Sequence, residues 1–466
     1  MKTGAVLTAA MLAILAPAAA RAQGEELTKE YDNGGVYEGT FVDGRQHGRG
    51  TYRLPNGYEY SGDWVDGRIE GEGRATFPNG SVYEGRFVAG QPEGRGKITY
   101  PDGGTYEGAW AAGKMQGEGI AVYPDGSRYE GSFVAGQREG RGTLTRPDGT
   151  SYAGAWEAGV QAGEGKLTYA DGATYEGGVA DGAPSGKGTL IRPDGSRYEG
   201  AWQAGKYQGE GLLVLANGDR YEGAFVEGRR EGLGTATLAN GDVYEGGFVA
   251  DQRDGAGTLT RADGFRYTGN WTDGRFEGEG EATYPDGSVY VGAWKAGLPD
   301  GRGKITYADG RSFEGEWSAG AISGQGVARY AGGVTYEGGF KDGRSEGRGK
   351  LTGPDGYAYE GDWAGGQRHG QGKMTLSDGT VIEGTWKTGV LNGSGRATYA
   401  DGSVYEGEFV DGQREGQGRI RLANGQEYDG PWQDGQPAGA SAPVVPAGET
   451  PPTGPDEPGQ PNGSSG

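Results

Sequence analysis

The chain contains no cysteine, so a disulfide framework, a thiolate zinc site and a thiol nucleophile are all excluded. Histidine is nearly absent as well. Its two occurrences, His47 and His369, lie far apart in sequence at one equivalent, variable place, and neither has a recognisable serine or carboxylate partner. Basic residues are outnumbered, 44 Lys and Arg against 65 Asp and Glu, giving a net charge of −21. A surface of that sign argues against nucleic acid as a partner and reads first as a solvated acidic exterior. Local basic clusters such as Gly228-Arg229-Arg230-Glu231-Gly232 still act over a Debye length. Hydrophobic residues are scarce, at 33%, so a conventional thick core is not expected.

Long apolar runs are missing except at the start. There Lys2 precedes the run Ala5 to Leu15, and Ala20-Arg21-Ala22 forms a small-residue cleavage site. Residues 1–22 are therefore expected to be a signal peptide cut between Ala22 and Gln23, leaving an exported chain, periplasmic or secreted, with a lead-in over residues 23–31. Cleavage removes Lys2 and Arg21 and takes the net charge from −21 to −23.

What the sequence has in excess is glycine, 103 of 466 residues, together with 28 Tyr and 10 Trp. Glycine without a Gly-X-Y period excludes collagen, and the aromatics supply the apolar faces that a disordered chain lacks. The aromatics are ordered. An anchor tyrosine recurs at Tyr37, Tyr60, Tyr83, Tyr106, Tyr129 and then every 23 residues to Tyr428, with Phe313 and Ile382 as substitutes, giving eighteen units over residues 32–439. A nonapeptide calcium-binding roll does not fit that period.

In the unit that begins Tyr129-Glu130-Gly131-Ser132-Phe133, alternation places Tyr129, Gly131 and Phe133 on one side of a strand. Every tryptophan falls at the third of these places: Trp64, Trp110, Trp156, Trp202, Trp271, Trp294, Trp317, Trp363, Trp386 and Trp432; only Val179 is not aromatic there. After Gly140 and Gly142 a second strand brings Leu144 to the same face, and the repeated glycines are expected to make room for a ring. Glu38, Glu84 and Glu130 face Lys97 or Thr143 types on the solvated side. Turns such as Pro101-Asp102-Gly103 and Ala423-Asn424-Gly425 join the units.

The fold class predicted is all-β: an elongated, single-layer antiparallel β-meander solenoid of about eighteen 23-residue hairpins, curled and twisted, with nearest-neighbour stability. Residues 440–466, rich in Pro, Gly and Ser, read as a disordered tail without a clean PxxP motif.

The pattern Tyr-Glu-Gly-x-Phe/Trp-x-x-Gly-x-x-x-Gly-x-Gly resembles the MORN (membrane occupation and recognition nexus) repeat over nearly the whole mature chain. Departures are Asp251 for a turn glycine, Val179 for the aromatic, and Ser61, Ala153, Thr268 and Val291 for the glutamate. Such arrays occur in junctophilins, plant phosphatidylinositol phosphate kinases and some lysine methyltransferases. The resemblance implies a non-enzymatic scaffold that associates with protein, itself included, or with phospholipid.

No acid is distinguished from its repeated copies, so no catalytic pair stands out, and the Gly-x-Gly-Lys stretches lack phosphate-loop spacing. No cofactor, metal or catalytic residue is expected. In a single layer, the rings of Trp64, Trp110, Trp156, Trp202, Trp271, Trp294, Trp317, Trp363 and Trp386 are expected to line a partner- or lipid-binding groove. A protein partner or homodimer is the first reading, phospholipid the second. The alternative is an envelope glycan stacked on Tyr and Trp.

Overall fold

The computed structural model describes residues 25–438 and Val445. Among these are 37 strands and one 3-10 turn, Ala331–Gly333. The chain divides into two units, Met1–Lys206 and Tyr207–Gly466, built from the same repeat. In the first, the strands from Glu25–Glu30 to Arg197–Gln203 each pair antiparallel with the next in sequence. The second runs the same way from the strand Lys206–Val214, which begins at the division, to Gln436–Pro437.

Each repeat is a seven-residue strand followed by a nine-residue one, as in Arg128–Val134 and Gln137–Thr145. Two kinds of turn alternate. The turn between repeats is a three-residue loop. Tyr100 N donates to Gly104 O and Gly103 N to Tyr100 O, Gly103 takes φ 89°, and Asp102 Oδ1 accepts from Gly104 N at 3.0 Å. The turn within a repeat has two left-handed residues, Ala135 at φ 51° and Gly136 at φ 90°, the signature of a type I′ hairpin. Alanine, aspartate or threonine occupies the first of these places in most repeats, for example Asp43, Ala112 and Thr388. Asp251 adopts φ 71° in place of glycine, and its carboxylate accepts from Arg230 N at 2.9 Å. The register there is the usual one, Val249 opposite Gln252. Val179 likewise keeps the register of its hairpin.

A bulge separates the two halves of the complete hairpins. Gly131 pairs with Gly142 but Phe133 with Arg138, so the second strand carries two extra residues, and Gly140 in that stretch takes φ 72°. The tightest approach lies beside it. A Cβ on Gly142 would collide with the Tyr129 ring, and one on Gly131 with the Gly142 backbone. Glycine is thus required where the anchor ring lies flat across the facing strands.

Two features at the ends add to the repeat pattern. The lead-in holds a strand, Glu25–Glu30, that pairs with Val36–Val42. Its charged, fully exposed sequence gives no alternation to read, which suits a solvated sheet edge. The eighteenth unit is incomplete: Glu427–Gln433 is followed only by the two-residue strand Gln436–Pro437, because the chain after Gly435 lacks the Gly-x-Gly strand. The proposed signal peptide, its cleavage site, and all of the tail except Val445 lie outside the described residues.

Candidate functional site

One face of each hairpin carries the rings. Tyr129 packs edge-on against Phe133 of its own repeat (5.1 Å between centroids) and Trp156 of the next (5.2 Å), and Tyr129 Oη donates to Ser132 O at 3.1 Å. The same pairing recurs in the second unit, where Tyr290 meets Trp294 and Trp317. Each such pair contributes about 0.5–1.5 kcal/mol beyond the area it buries. Burial pushes the Tyr129 phenol up to about 12, and Arg138 nearby pulls it partly back.

This arrangement overturns the expectation of uncovered tryptophan faces. Trp64, Trp110, Trp156, Trp202, Trp271, Trp294, Trp317, Trp363 and Trp386 are all buried, from 8% exposed at Trp363 to 1% at Trp386. Each indole packs against an anchor tyrosine, and its Nε1 donates to a glycine carbonyl of the preceding repeat, as Trp156 to Gly142 O at 3.0 Å and Trp386 to Gly372 O at 3.2 Å. The ring ladder closes on itself because an anchor tyrosine serves two neighbours, a geometry that strand alternation alone does not reveal. Stacking of a sugar on these indoles has no free face to use.

Above the ladder on this side runs a row that is half-buried at its first members and buried at others, Pro184, Pro299 and Arg414 among them. The residue opposite each Phe or Trp projects there: Pro92, Met115, Arg138 and Gln161 in successive repeats. Arg138 lies 4.2 Å from the Trp156 ring centre and donates to Gly159 O at 2.8 Å. Arg253 sits between Tyr244 and Trp271 in the same manner, 4.9 and 5.1 Å from their centres, and burial lowers its pKa. In the first unit, the row and the neighbouring turns enclose a cavity of about 500 Å³ lined by Tyr100, Tyr106, Met115, Tyr123, Phe133 and Arg138. Sequence reading missed this row because its occupants vary. The available signal was arginine recurring at multiples of the repeat, Arg138, Arg230, Arg253, Arg368 and Arg414.

The opposite face is polar. Lys166 meets Glu176 at 2.6 Å, Lys373 meets Glu383 at 3.0 Å and Arg74 meets Glu84 at 3.1 Å, exposed pairs worth about 0–1 kcal/mol each. A broad trough of about 920 Å³ on this face of the second unit is lined by Arg302, Lys304, Glu314, Glu337, Arg348 and Glu360 among others. Its charges alternate in sign, which offers no single-sign surface to a ligand. Glutamates nearer the type I′ turn tie one repeat to the next. Glu139 Oε2 accepts from Ala158 N of the following repeat at 2.8 Å, and Glu277 Oε2 from Ala296 N at 2.9 Å.

The histidines lie on second strands, Arg45–Arg53 and Gln367–Thr375. His47 Nδ1 is 3.6 Å from Asp66 Oδ1, and His369 is exposed. Among the described residues, no group of three or more His, Asp or Glu is placed to hold a metal ion.

The MORN repeat family profile matches seventeen times, from residues 37–57 through 405–427, leaving out the incomplete unit at Tyr428. The chain belongs to the MORN repeat family. Comparison with curated protein sequences gives no match. Among solved structures, similarity is found to the TCP domain of Drosophila melanogaster SAS-4, with 16% identity over 37% of this chain and 87% of that one and a TM-score of 0.22. The TCP10 domain of Danio rerio CPAP shares 15% identity over 57% and 93% of the two chains, with a TM-score of 0.14. Virginiamycin B lyase from Staphylococcus aureus shares 11% over 67% and 83%, with a TM-score of 0.11. Scores this low carry no functional argument. Membership in the MORN family, by contrast, points to a repeat scaffold of the kind that binds proteins or membranes.

Proposed function

We propose that this MORN array is an exported, non-catalytic scaffold of the cell envelope that docks a protein partner along the row above its ring ladder. The observation that carries this reading is the cavity bounded by Tyr100, Met115, Tyr123 and Arg138. Tyrosine and arginine dominate binding hot spots, methionine adapts to a partner's shape, and here Met115 and Arg138 stand on strands while Tyr100 and Tyr123 flank them from the turns between repeats. The paired, solvated charges of the opposite face offer no such anchor. A second copy of the chain or a phospholipid surface is the other occupant that the family membership supports.

The test places a photo-crosslinking residue at Tyr123 or Met115 of the mature chain, with Glu130 and Thr143 on the opposite face as controls. Crosslinks to protein from the first pair alone support the reading, and equal yields from both faces overturn it. Light scattering separates a second copy from a different protein. Sedimentation with anionic vesicles, weakening as salt is raised, identifies lipid instead. Export is tested by the mature N-terminus, expected at Gln23.

A further inference from the structure

The turn between repeats begins with a residue whose identity varies along the chain, and in three successive repeats it is aromatic: Phe77, Tyr100 and Tyr123. The backbone holds all three alike. Phe77 N donates to Ser81 O and Phe77 O accepts from Gly80 N, and the same two bonds recur at Tyr100 and at Tyr123. All three rings are half-buried. They stand one repeat apart along one edge of the sheet, and the cavity of about 500 Å³ lies against two of them, Tyr100 and Tyr123. The turn before Phe77 carries Leu54 and the turn after Tyr123 carries Arg146, so the aromatic run is bounded.

The sequence holds one other such triplet, Tyr284, Tyr307 and Tyr330, nine repeats further on. That one is closed. The Arg311 guanidinium lies 5.2 Å from the Tyr307 ring centre and is fixed by Asp309 at 2.7 Å, and Tyr330 is followed by the 3-10 turn Ala331–Gly333 instead of the usual loop. At the place of Arg311 the first triplet has Gly104, so nothing reaches from there across the middle ring, Tyr100.

Two strand spacings of about 4.8 Å set equivalent residues of successive repeats about 9.6 Å apart. A polyproline II segment brings every third side chain to one side, about 9.3 Å apart. The two periods match. Three residues of a β-strand cover about 10 Å but turn the next side chain to the opposite face, and an α-helix returns to one face only after seven residues, about 10.5 Å. We propose that Phe77, Tyr100 and Tyr123 receive a proline-rich segment of a partner protein in polyproline II conformation, laid across the strands. A Pro-x-x-Pro pair fills the two gaps between the three rings, and an acidic residue follows toward Arg138 and Arg146. The inference rests on the docking reading above and names the chemistry of the partner. A polyproline II backbone makes no internal hydrogen bonds, so its carbonyls accept from the Tyr100 and Tyr123 hydroxyls while its pyrrolidine rings pack on the aromatic faces. Charge sets the direction. Arg138 and the exposed Arg146 mark the Tyr123 end, whereas the neutral Leu54 and Ile69 mark the other. Arg146 also acts on the turn carboxylates Asp125 and Asp148, so the acidic contact orients the segment more than it tightens it.

Fluorescence anisotropy on the mature full chain tests this with two labelled peptides of equal composition, Pro-Ala-Ala-Pro-Ala-Ala-Pro-Asp and Pro-Pro-Pro-Ala-Ala-Ala-Ala-Asp. The first is expected to bind roughly 5-fold more tightly, because only its prolines keep the three-residue period. Tyr100→Ala should weaken it about 10-fold. Gly104→Arg, which copies the closed triplet, should weaken it by about as much. Gly104→Ser installs the residue found at the equivalent Ser81 and Ser127 and should leave binding unchanged, so a loss confined to Gly104→Arg is not a folding defect. Replacing the peptide's Asp by Lys should weaken binding about 3-fold. Equal binding of the two peptides overturns the proposal, as does full affinity in Tyr100→Ala or Gly104→Arg. Failure of both peptides to bind, with protein still crosslinked from Tyr123 or Met115, overturns the proline chemistry and leaves the docking reading standing. Failure of both the peptides and the crosslinks removes the docking reading itself.

Discussion

The hairpins Tyr129–Thr145 and Tyr405–Arg421 are close to a controlled experiment made by the molecule itself. Their turns match and their anchor-ring contacts correspond, yet one presents a half-open arginine and the other a buried one that also lies over Tyr399. The repeat therefore fixes the interior of the sheet, while the exposure of the row above it varies with the neighbours each row residue finds, as Arg414 finds Tyr399 in the adjoining turn. Interior and row should respond differently to perturbation, and that separation can be tested from the largest effect downward.

The largest effect should be alkaline unfolding, and it should strike both hairpins. Burial raises the Tyr129 phenol to about 12, and Tyr405 is raised further, again chiefly by burial. A phenol whose folded pKa lies above its unfolded value of about 10 holds its proton more tightly in the folded state. The stability it contributes is fully present below pH 10 and is lost as the pH climbs from there through the folded value. Tyr83, Tyr106, Tyr221, Tyr244 and Tyr267 are likewise raised to about 12, so the losses accumulate. Urea midpoints should be flat up to about pH 10 and then fall steeply. A flat profile to pH 12 would contradict the closed ladder.

Next in size, Gly142→Ala and Gly418→Ala should each cost roughly 2–3 kcal/mol, because the new Cβ collides with the ring of Tyr129 or Tyr405 and neither ring has space to retreat. Equal losses in urea unfolding would confirm that the interior is the same in both hairpins. A clearly smaller loss at Gly418 would show that the last repeat relaxes more easily and would weaken the comparison.

Removing the row arginines should separate the hairpins. Arg138→Ala loses a ring contact and the bond to Gly159 O at the surface, about 1 kcal/mol. Arg414→Ala empties a buried place beside Tyr399, Tyr405 and Trp432 and should cost about 2 kcal/mol. Equal costs would break the distinction between open and covered parts of the row.

The sequence made the interior legible because the residues beneath the row obey the 23-residue period: the places of Tyr129, Gly131, Phe133, Gly142 and Leu144 all follow from it. The tryptophans were assigned to the correct face but to the wrong exposure. Alternation says which side a ring takes, but not that the next tyrosine will lie across it. The row was illegible for the opposite reason, since Pro92, Met115 and Arg138 share a place and no chemistry. The strand Glu25–Glu30 gave no pattern because both of its faces meet water. The type I′ turns were hidden by alanine, which ordinarily avoids positive φ and is held there by the flanking strands.

That last point yields the smallest and most reciprocal prediction. Ala135 and Asp411 are equivalent first residues of the turn, at φ 51° and φ 49°. The left-handed region costs an ordinary L-residue roughly 1–2 kcal/mol, whereas Asn and Asp relieve part of that through local hydrogen bonds. Ala135→Asn should therefore stabilise the first hairpin by about 0.5 kcal/mol, its backbone N–H still donating to Gln116 Oε1 at 3.0 Å. Asp411→Ala should destabilise the second by slightly more, since Asp411 Oδ1 also accepts from Asn392 Nδ2 at 3.2 Å. Urea midpoints of the two single variants and the double variant check this. Because the sites lie in different repeats, well separated in sequence, of a chain stabilised by near neighbours, the double variant should return close to the parent value. Changes of the same sign in both single variants would mean that turn strain is absorbed differently in the two hairpins, and that the equivalence of their interiors stops at the turn.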